Sequence, residues 1–360
     1  MMRVKIEDVC MKGSSNLKQS DVVGKNGIYP VYGAAGYLGS IDSFKQSKPY
    51  VAVVKDGAGI GRAMLLPSNS SIIGTMQYLL PKDNILPEYL YYLIKAKHLE
   101  KYYSGATIPH IYFKDYKNEE FDLFSFEIQY QIINKLKIIE KIIEKQKKEM
   151  DLLDELVKAR FVELFGDIIS NDKNWNSKPL KELCDISRGA SPRPISDYLG
   201  GTIPWIKIGD ATIGDSIYIN LTKEHIIKEG VRKSRFIKKG SLIFANCGVS
   251  LGFCRIINFD GCIHDGWLAF QNIDTSLNKI FLLTTINQMT GYFRKIAPGG
   301  TQPNLNTDIV GNYIQVVPPL ELQNQFADFV KEVDKSRLEV QKSLKKTQEL
   351  FDSLMQKYFG

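Results

Sequence analysis

The sequence predicts an α+β fold in which two mixed α/β lobes are separated by two long helices. The helices are expected to pair as an antiparallel coiled coil, with the two halves related by a pseudo-two-fold internal repeat. Three observations carry this. Residues 105–166 align with residues 299–360 at a constant offset of 194, without a gap, and 14 of the 62 positions are identical. Both copies end in a stretch with apolar residues at alternating steps of four and three. The chain has 360 residues, 44% of them hydrophobic and 24% charged, enough for two domains with real cores and unlike a disordered or fibrous chain.

The order of the matches is more telling than their number. Each copy reads G-x-T-x-P (Gly105, Thr107, Pro109; Gly299, Thr301, Pro303), then an apolar strand, then E-x-Q-x-Q (Glu127, Gln129, Gln131; Glu321, Gln323, Gln325). A long helix follows and closes in Phe-Gly, at Phe165 and Gly166 and again at Phe359 and Gly360. Fainter matches precede it: KDGAGIG (55–61) with NCGVSLG (246–252), and GIYP (27–30) with GTIP (201–204). Four segments follow from this: a lobe over 1–126, a helix over 127–168, a second lobe over 169–319 and a helix over 320–360.

Within the lobes, YVAVVK (50–55), SIIGTMQYLL (71–80), SLIFAN (241–246) and GWLAFQN (266–272) are rich in β-branched and aromatic residues and predict strands. Residues 87–103, opening on Pro87, and residues 278–296 predict helices. In the central helix the heptad seam is Ile132, Leu136, Ile139, Ile143, Met150, Leu153, Val157 and Leu164, interrupted by Gln146 and Arg160. In the last helix it is Phe326, Val330, Val333, Val340, Leu344, Phe351, Leu354 and Tyr358, interrupted by Arg337 and Thr347. A 3.5-residue period held this long predicts a helix–helix seam, and the four polar interruptions are expected to set its register. An antiparallel pair suits the chain path: a parallel one would need the roughly 14 residues between helix and second lobe to retrace about 55 Å of helix.

Charge separates along the same divisions. Residues 1–126 hold 15 basic and 12 acidic side chains and residues 167–320 hold 17 and 13, whereas both helical segments are neutral. The whole net charge of +7 therefore lies in the lobes, as suits a polyanion touched at two places. No run of about 18 apolar residues exists for a membrane span, and no apolar leader opens the chain. Five cysteines (Cys10, Cys184, Cys247, Cys254, Cys262) are too few and too scattered for a disulfide framework, so a reducing cytoplasm is expected.

With the motifs in this order, GATIPHIYFKDYKNEEFDLFSFEIQYQI (105–132) and GGTQPNLNTDIVGNYIQVVPPLELQNQF (299–326), the chain resembles the specificity subunits of Type I restriction–modification systems over its whole length. The resemblance implies two target recognition domains, each reading half of a split double-stranded DNA sequence. It implies helices that set the unread spacer and dock two methyltransferase (modification) subunits, with restriction (translocase–nuclease) subunits joining that core. It also implies no catalysis and no cofactor in this chain, S-adenosylmethionine being expected in the partner methyltransferases. The first copy departs from the pattern: Phe124, Ser125 and Phe126 stand where the second has Pro318, Pro319 and Leu320, and its lobe is shorter.

Basic and amide side chains beside glycine-rich loops are the natural DNA contacts, arginine above all because its fork matches guanine O6 and N7. In the first lobe these are Lys25, Asn26, Tyr32, Lys55, Arg62 and His110. In the second they are Arg188, Arg193, Lys207, Arg232, Lys233, Arg235, Asn246 and Asn304. Two other classes of function compete. An adaptor with two degenerate protein-binding lobes would show no steep salt dependence toward DNA. A methyltransferase in its own right would use DGAGIG (56–61) after its strand, but RAMLLP follows and reaches Pro67 before a helix could form. The loose spacing of Cys247, Cys254, Cys262 and His264 reads as free thiols rather than a zinc site.

Overall fold

A computed structural model describes residues 2–105, 109–212, 217–248, 250–298 and 304–360. Thr107, Gly299, Thr301 and Pro303, the core of the G-x-T-x-P motif, lie outside the described residues. Two compact units emerge: Met1–Met150 with Glu339–Gly360, and Asp151–Leu338. Their limits fall within the long helices, Phe126–Phe165 and Leu320–Phe359, whereas the expected segment boundaries follow the ends of elements. Each helix has 40 residues and so runs about 60 Å.

In the first unit, among the described residues, one sheet has the order Cys10–Ser14, Met76–Pro81, Tyr50–Val54, Ala63–Leu66, all antiparallel. A second has Gly36–Ile41, Tyr29–Gly33, Ser71–Ile72, the last pair parallel. Met2–Lys5 pairs with Glu120–Leu123, bringing the start of the lobe beside the entry to the central helix. The helix Pro87–Ala96 buries Tyr89, Leu90, Tyr92, Leu93 and Ile94 in a core shared with Ile132, Leu136, Ile139, Phe351, Met355 and Phe359.

The second unit repeats the plan. Its larger sheet runs Asp185–Arg188, Trp267–Gln271, Leu242–Ala245, Cys254–Ile257 and then Tyr218–Ile219, a parallel addition the first unit lacks. Its other sheet runs Glu224–Ile226, Leu199–Ile206, Gly261–Ile263, Arg235–Ile237, again with one parallel pair, at Trp205 and Ile206. Asn176–Pro179 pairs with Ile314–Val317 as Met2–Lys5 pairs with Glu120–Leu123. Lys279–Gln288 takes the place of Pro87–Ala96, over a core that includes Phe161, Phe165, Phe281, Phe326 and Val330.

Three expected elements are divided. The stretch 71–80 is two strands, because the chain turns at 73–75 and crosses from one sheet to the other; Gly74 donates its N–H to Leu17 O at 2.8 Å in that turn. The helix expected over 87–103 stops at Ala96, His98 takes φ 48°, and a short 3₁₀ turn, Leu99–Tyr102, follows. Residues 278–296 form two helices, Lys279–Gln288 and Thr290–Ile296. Periodicity cannot see such breaks, since the apolar pattern continues through them.

Every residue of the expected seam is buried or half-buried. In the first unit the Gln146 amide donates to Ser343 Oγ at 2.8 Å, across the two helices. In the second, Arg337 pairs with Asp154 at 2.5 Å and the Arg160 guanidinium lies 5.9 Å from the Phe329 ring. Low positions of one helix thus meet high positions of the other in both units. Thr347 corrects the expectation: its hydroxyl donates to Ser343 O one turn back, within its own helix. Ile133, Phe161, Phe165, Met355 and Phe359 are buried although outside the expected seam. Near the lobes the helices are covered on a wider face than a helix partner alone would cover.

Candidate nucleic-acid interface

In the first lobe the strands Tyr50–Val54 and Ala63–Leu66 form a hairpin, and its loop is the glycine-rich DGAGIG run. Gly57, Gly59 and Gly61 all have φ between 80° and 86°, the left-handed region a tight turn requires. The loop is a turn and carries no helix. At its base Asp56 pairs with His110, Nδ1 to Oδ1 at 2.6 Å, and Lys55 lies 3.7 Å from the other carboxylate oxygen. Arg62 donates to Ala34 O at 3.2 Å, which brings it beside the loop joining Tyr29–Gly33 to Gly36–Ile41. Tyr32 is half-buried against Tyr37, edge to face. Lys25 and Asn26 are exposed ahead of that strand, Asn26 bridging to Ser40. Lys55, Arg62 and His110 therefore frame one hairpin loop, while Lys25 and Asn26 belong to the edge of the smaller sheet.

The second lobe gathers more. Asp265 sits between Ser191, whose hydroxyl donates at 2.8 Å, His264 at 2.8 Å and Arg193 at 3.6 Å. Arg188 donates from Nε to Asp265 O, and Arg235 from Nε to Arg188 O. Lys207 pairs with Glu224 and lies 5.1 Å over the Trp205 ring. Ser191, Pro192, Arg193, Pro194, Ile195, Trp205 and His264 line an open cavity of about 490 Å³. Arg193 is 80% exposed at its rim, so its ion pair is one a phosphate or base edge could replace at small cost.

The electrostatics follow from this packing. Burial would raise the Asp265 carboxyl, but the Ser191 hydroxyl, His264 and Arg193 outweigh it and hold the group below the usual carboxylate range. Burial pushes the His264 imidazole down; Asp265 opposes the shift, while Lys207, Arg193 and Arg188 add to it. Its Nδ1 accepts the Gly266 N–H at 2.9 Å, which leaves Nε2–H to face Asp265 and gives a proton on Nδ1 no place.

Of the remaining expected contacts, Lys233 donates to the Tyr198 hydroxyl at 2.6 Å, and Arg232 is exposed just after the short helix Lys228–Val231. Asn246 is a correction: it is fully buried, its amide donating to Asn304 Oδ1 and Leu305 O at 3.2 Å, so it has no surface to offer DNA. Asn304 is exposed and forms a bridge with Cys247, as His110 does with Asp56. Ser191, Trp205, His264 and Asp265 are not among the expected contacts, since nothing in their spacing joins Ser191 to Asp265, 74 positions on, or Trp205 to His264, 59 positions on.

Two glutamines of the repeat prove structural. Gln129 and Gln323 are fully buried at the start of the long helices. Gln129 Oε1 accepts the Leu86 N–H at 2.9 Å, and its amide donates to Asn84 O and Phe124 O. Gln323 accepts the Asn278 N–H at 2.9 Å and donates to Ser276 O and Pro318 O. Cys10 and Cys184 match in the same way: each thiol donates to a carbonyl four residues back, and burial pushes each up to about 12. I-E-D-V-C (6–10) against L-K-E-L-C (180–184) is the sequence signal for that match. Among the described residues no group of His, Cys, Asp or Glu is arranged to hold a metal, and no helix is long and apolar enough to cross a membrane.

One sheet plan is used twice, and basic side chains lie on the loops of each lobe. Residues 1–150 and 172–350 match the Type I restriction modification DNA specificity domain. The chain belongs to that family, as a subunit that recognises DNA sequence. The Type I restriction enzyme MjaIX specificity subunit of Methanocaldococcus jannaschii is 24% identical over 310 residues, 78% of this chain and 69% of the relative. The MjaVIII specificity subunit of the same organism is 23% identical over 334 residues, covering 83% and 77%. The fold is similar to that of the Type I restriction–modification S subunit from M. genitalium, with a TM-score of 0.65 and 18% identity over 100% of this chain and 96% of the other. A chain from a structure on complex assembly and conformational transition of the Type I system has a TM-score of 0.56 and 14% identity, over 99% and 97%.

Proposed function

We propose that the chain reads a bipartite, gapped double-stranded DNA target, one half-site per lobe, and directs partner methyltransferase and restriction subunits to it without catalysing a reaction itself. The observation that carries this is the sheet plan used twice, with basic side chains around the hairpin loop in the first lobe and around Asp265 in the second. The recognition domains are the segments 1–126 and 169–319. The helical segments 127–168 and 320–360 form an antiparallel coiled coil that acts as a spacer, and a pseudo-two-fold axis relates the halves. Half-sites on one face of B-DNA lie about 34 Å apart per turn, within the reach of a helix of about 60 Å.

In the first lobe Lys55, Arg62 and His110 face DNA, with Lys25 and Asn26 at the edge of the smaller sheet and Tyr32 on its middle strand. In the second, Arg188, Arg193, Lys207 and Arg235 do so, flanked by Arg232, Lys233 and Asn304. Two methyltransferase subunits, which bring S-adenosylmethionine, dock along the helices, and the assembly works in the cytoplasm. Ile138 and Ile142, 59% and 41% exposed, and Leu152 and Leu156, 52% and 48% exposed, support such docking. They form two i, i+4 apolar pairs set two heptads apart on the solvent side of the central helix.

Mapping methylated bases across the genome of the source cell, with and without this gene, tests the reading. A gapped two-part motif that disappears on deletion is the expected result. An unchanged methylome would overturn it.

A further inference from the structure

We infer that Gln129 and Gln323 are positioning residues that set the inclination of each lobe on its long helix, and through it the spacing of the two half-sites; this rests on the bipartite reading above. Each glutamine ties together three main-chain segments. It receives the N–H of the residue that caps the lobe helix, Leu86 before Pro87–Ala96 and Asn278 before Lys279–Gln288. It donates to the carbonyl two residues before that cap, Asn84 or Ser276, and to the carbonyl five residues before itself, Phe124 or Pro318. Lobe helix, strand exit and long helix thus meet at one amide.

Both amides are fully buried, so no water stands in for a lost partner. The surroundings differ between copies: Phe124 and Ser125 lead into the central helix, Pro318 and Pro319 into the other. Prolines constrain a helix entry strongly, yet the same three hydrogen bonds are made without them. What the two copies share is the geometry and not the local sequence. One base pair moves a half-site about 3.4 Å along DNA and about 35° around it, so a lobe held by fixed hydrogen bonds discriminates spacers that a looser lobe would accept.

The test uses the full chain assembled with its methyltransferase subunits and a DNA library in which the two half-sites are separated by every spacer within two base pairs of the natural one. The unaltered chain is expected to methylate one spacer. Gln129→Met and Gln323→Met fill the same volume without the hydrogen bonds and should raise methylation at neighbouring spacers at least tenfold relative to the natural one, with base preference in each half-site unchanged. Leu86→Pro keeps the φ of −77° that Leu86 already has and removes the N–H that Gln129 accepts, together with a side chain packed on the core, while Gln129 keeps its two donated bonds; it should spread the spacers less, and it serves if the methionine variants fail to assemble. Variants that methylate less overall but keep the single spacer would overturn the inference and leave the bipartite reading intact. An unaltered chain that methylates no gapped motif would overturn both.

Discussion

The two lobes share a frame and differ in what they hang on it. At equivalent places the hairpin loop is stapled to the segment that follows T-x-P, by Asp56 and His110 in the first lobe and by Cys247 and Asn304 in the second. The first staple adds a side-chain contact, half-exposed, between His110 Nδ1 and Asp56 Oδ1 at 2.6 Å. The second is backed by the buried amide of Asn246, which reaches Asn304 and Leu305. Around it the second lobe assembles Ser191, Arg193 and His264 at Asp265, with Lys207 acting on His264, and among the described residues it has two further strands, Tyr218–Ile219 and Arg235–Ile237. The lesson is that hydrogen bonds made inward hold the frame constant, while side chains turned outward are free to diverge. Proteins that read different sequences with one architecture need that division.

The comparison is broken or sharpened most strongly at the closing aromatics. Phe165 packs against Phe161, Phe281 and Phe326, whereas among the described residues Phe359, its equivalent, has one ring neighbour, Tyr89. Truncation to alanine should cost about 3–5 kcal/mol in each unit, with Phe165→Ala the more damaging. Urea unfolding of both variants measures this, and a larger loss for Phe359→Ala would contradict it.

Arg193→Ala should next cost about 1–3 kcal/mol of DNA affinity and relax one half-site only, the other staying as selective as before. Binding to duplexes varied in one half-site at a time decides; a uniform loss with a shallower salt slope would reassign Arg193 to phosphate. Loss of the inward amide in Asn246→Ala leaves Leu305 O without its side-chain donor and should destabilise the second unit by about 1–2 kcal/mol. His110→Ala removes a half-exposed contact and should cost about 1 kcal/mol or less. Equal melting shifts for those two would erase the distinction between frame and surface.

The smallest effect is in pH. The imidazole of His264 is pushed down in the folded chain, so the unfolded chain takes up the proton first as pH falls. The stability this neutral histidine contributes is full above about pH 6.5 and is lost as pH falls through the lower folded value. His264→Asn should flatten the melting profile of the second unit between pH 7 and pH 5. A profile unchanged by the substitution would show that burial, helped by Lys207, Arg193 and Arg188, does not hold the histidine neutral.

The sequence by itself determined the two-copy plan, the long helices and the side chains on their seams. Those features repeat locally: a heptad shows in any dozen residues, and the offset of 194 runs ungapped through both long helices. Only the tertiary structure decided which polar groups meet. Arg193 and Asp265 are 72 positions apart, and Gln129 lies 43 from Leu86, so no period or spacing announces either contact. Asn246 looked like a loop amide available to DNA and is buried beneath the loop instead. Spacing along a chain reports which face of an element a residue shares; what lies across that face depends on how distant elements pack, and that packing has no local signature.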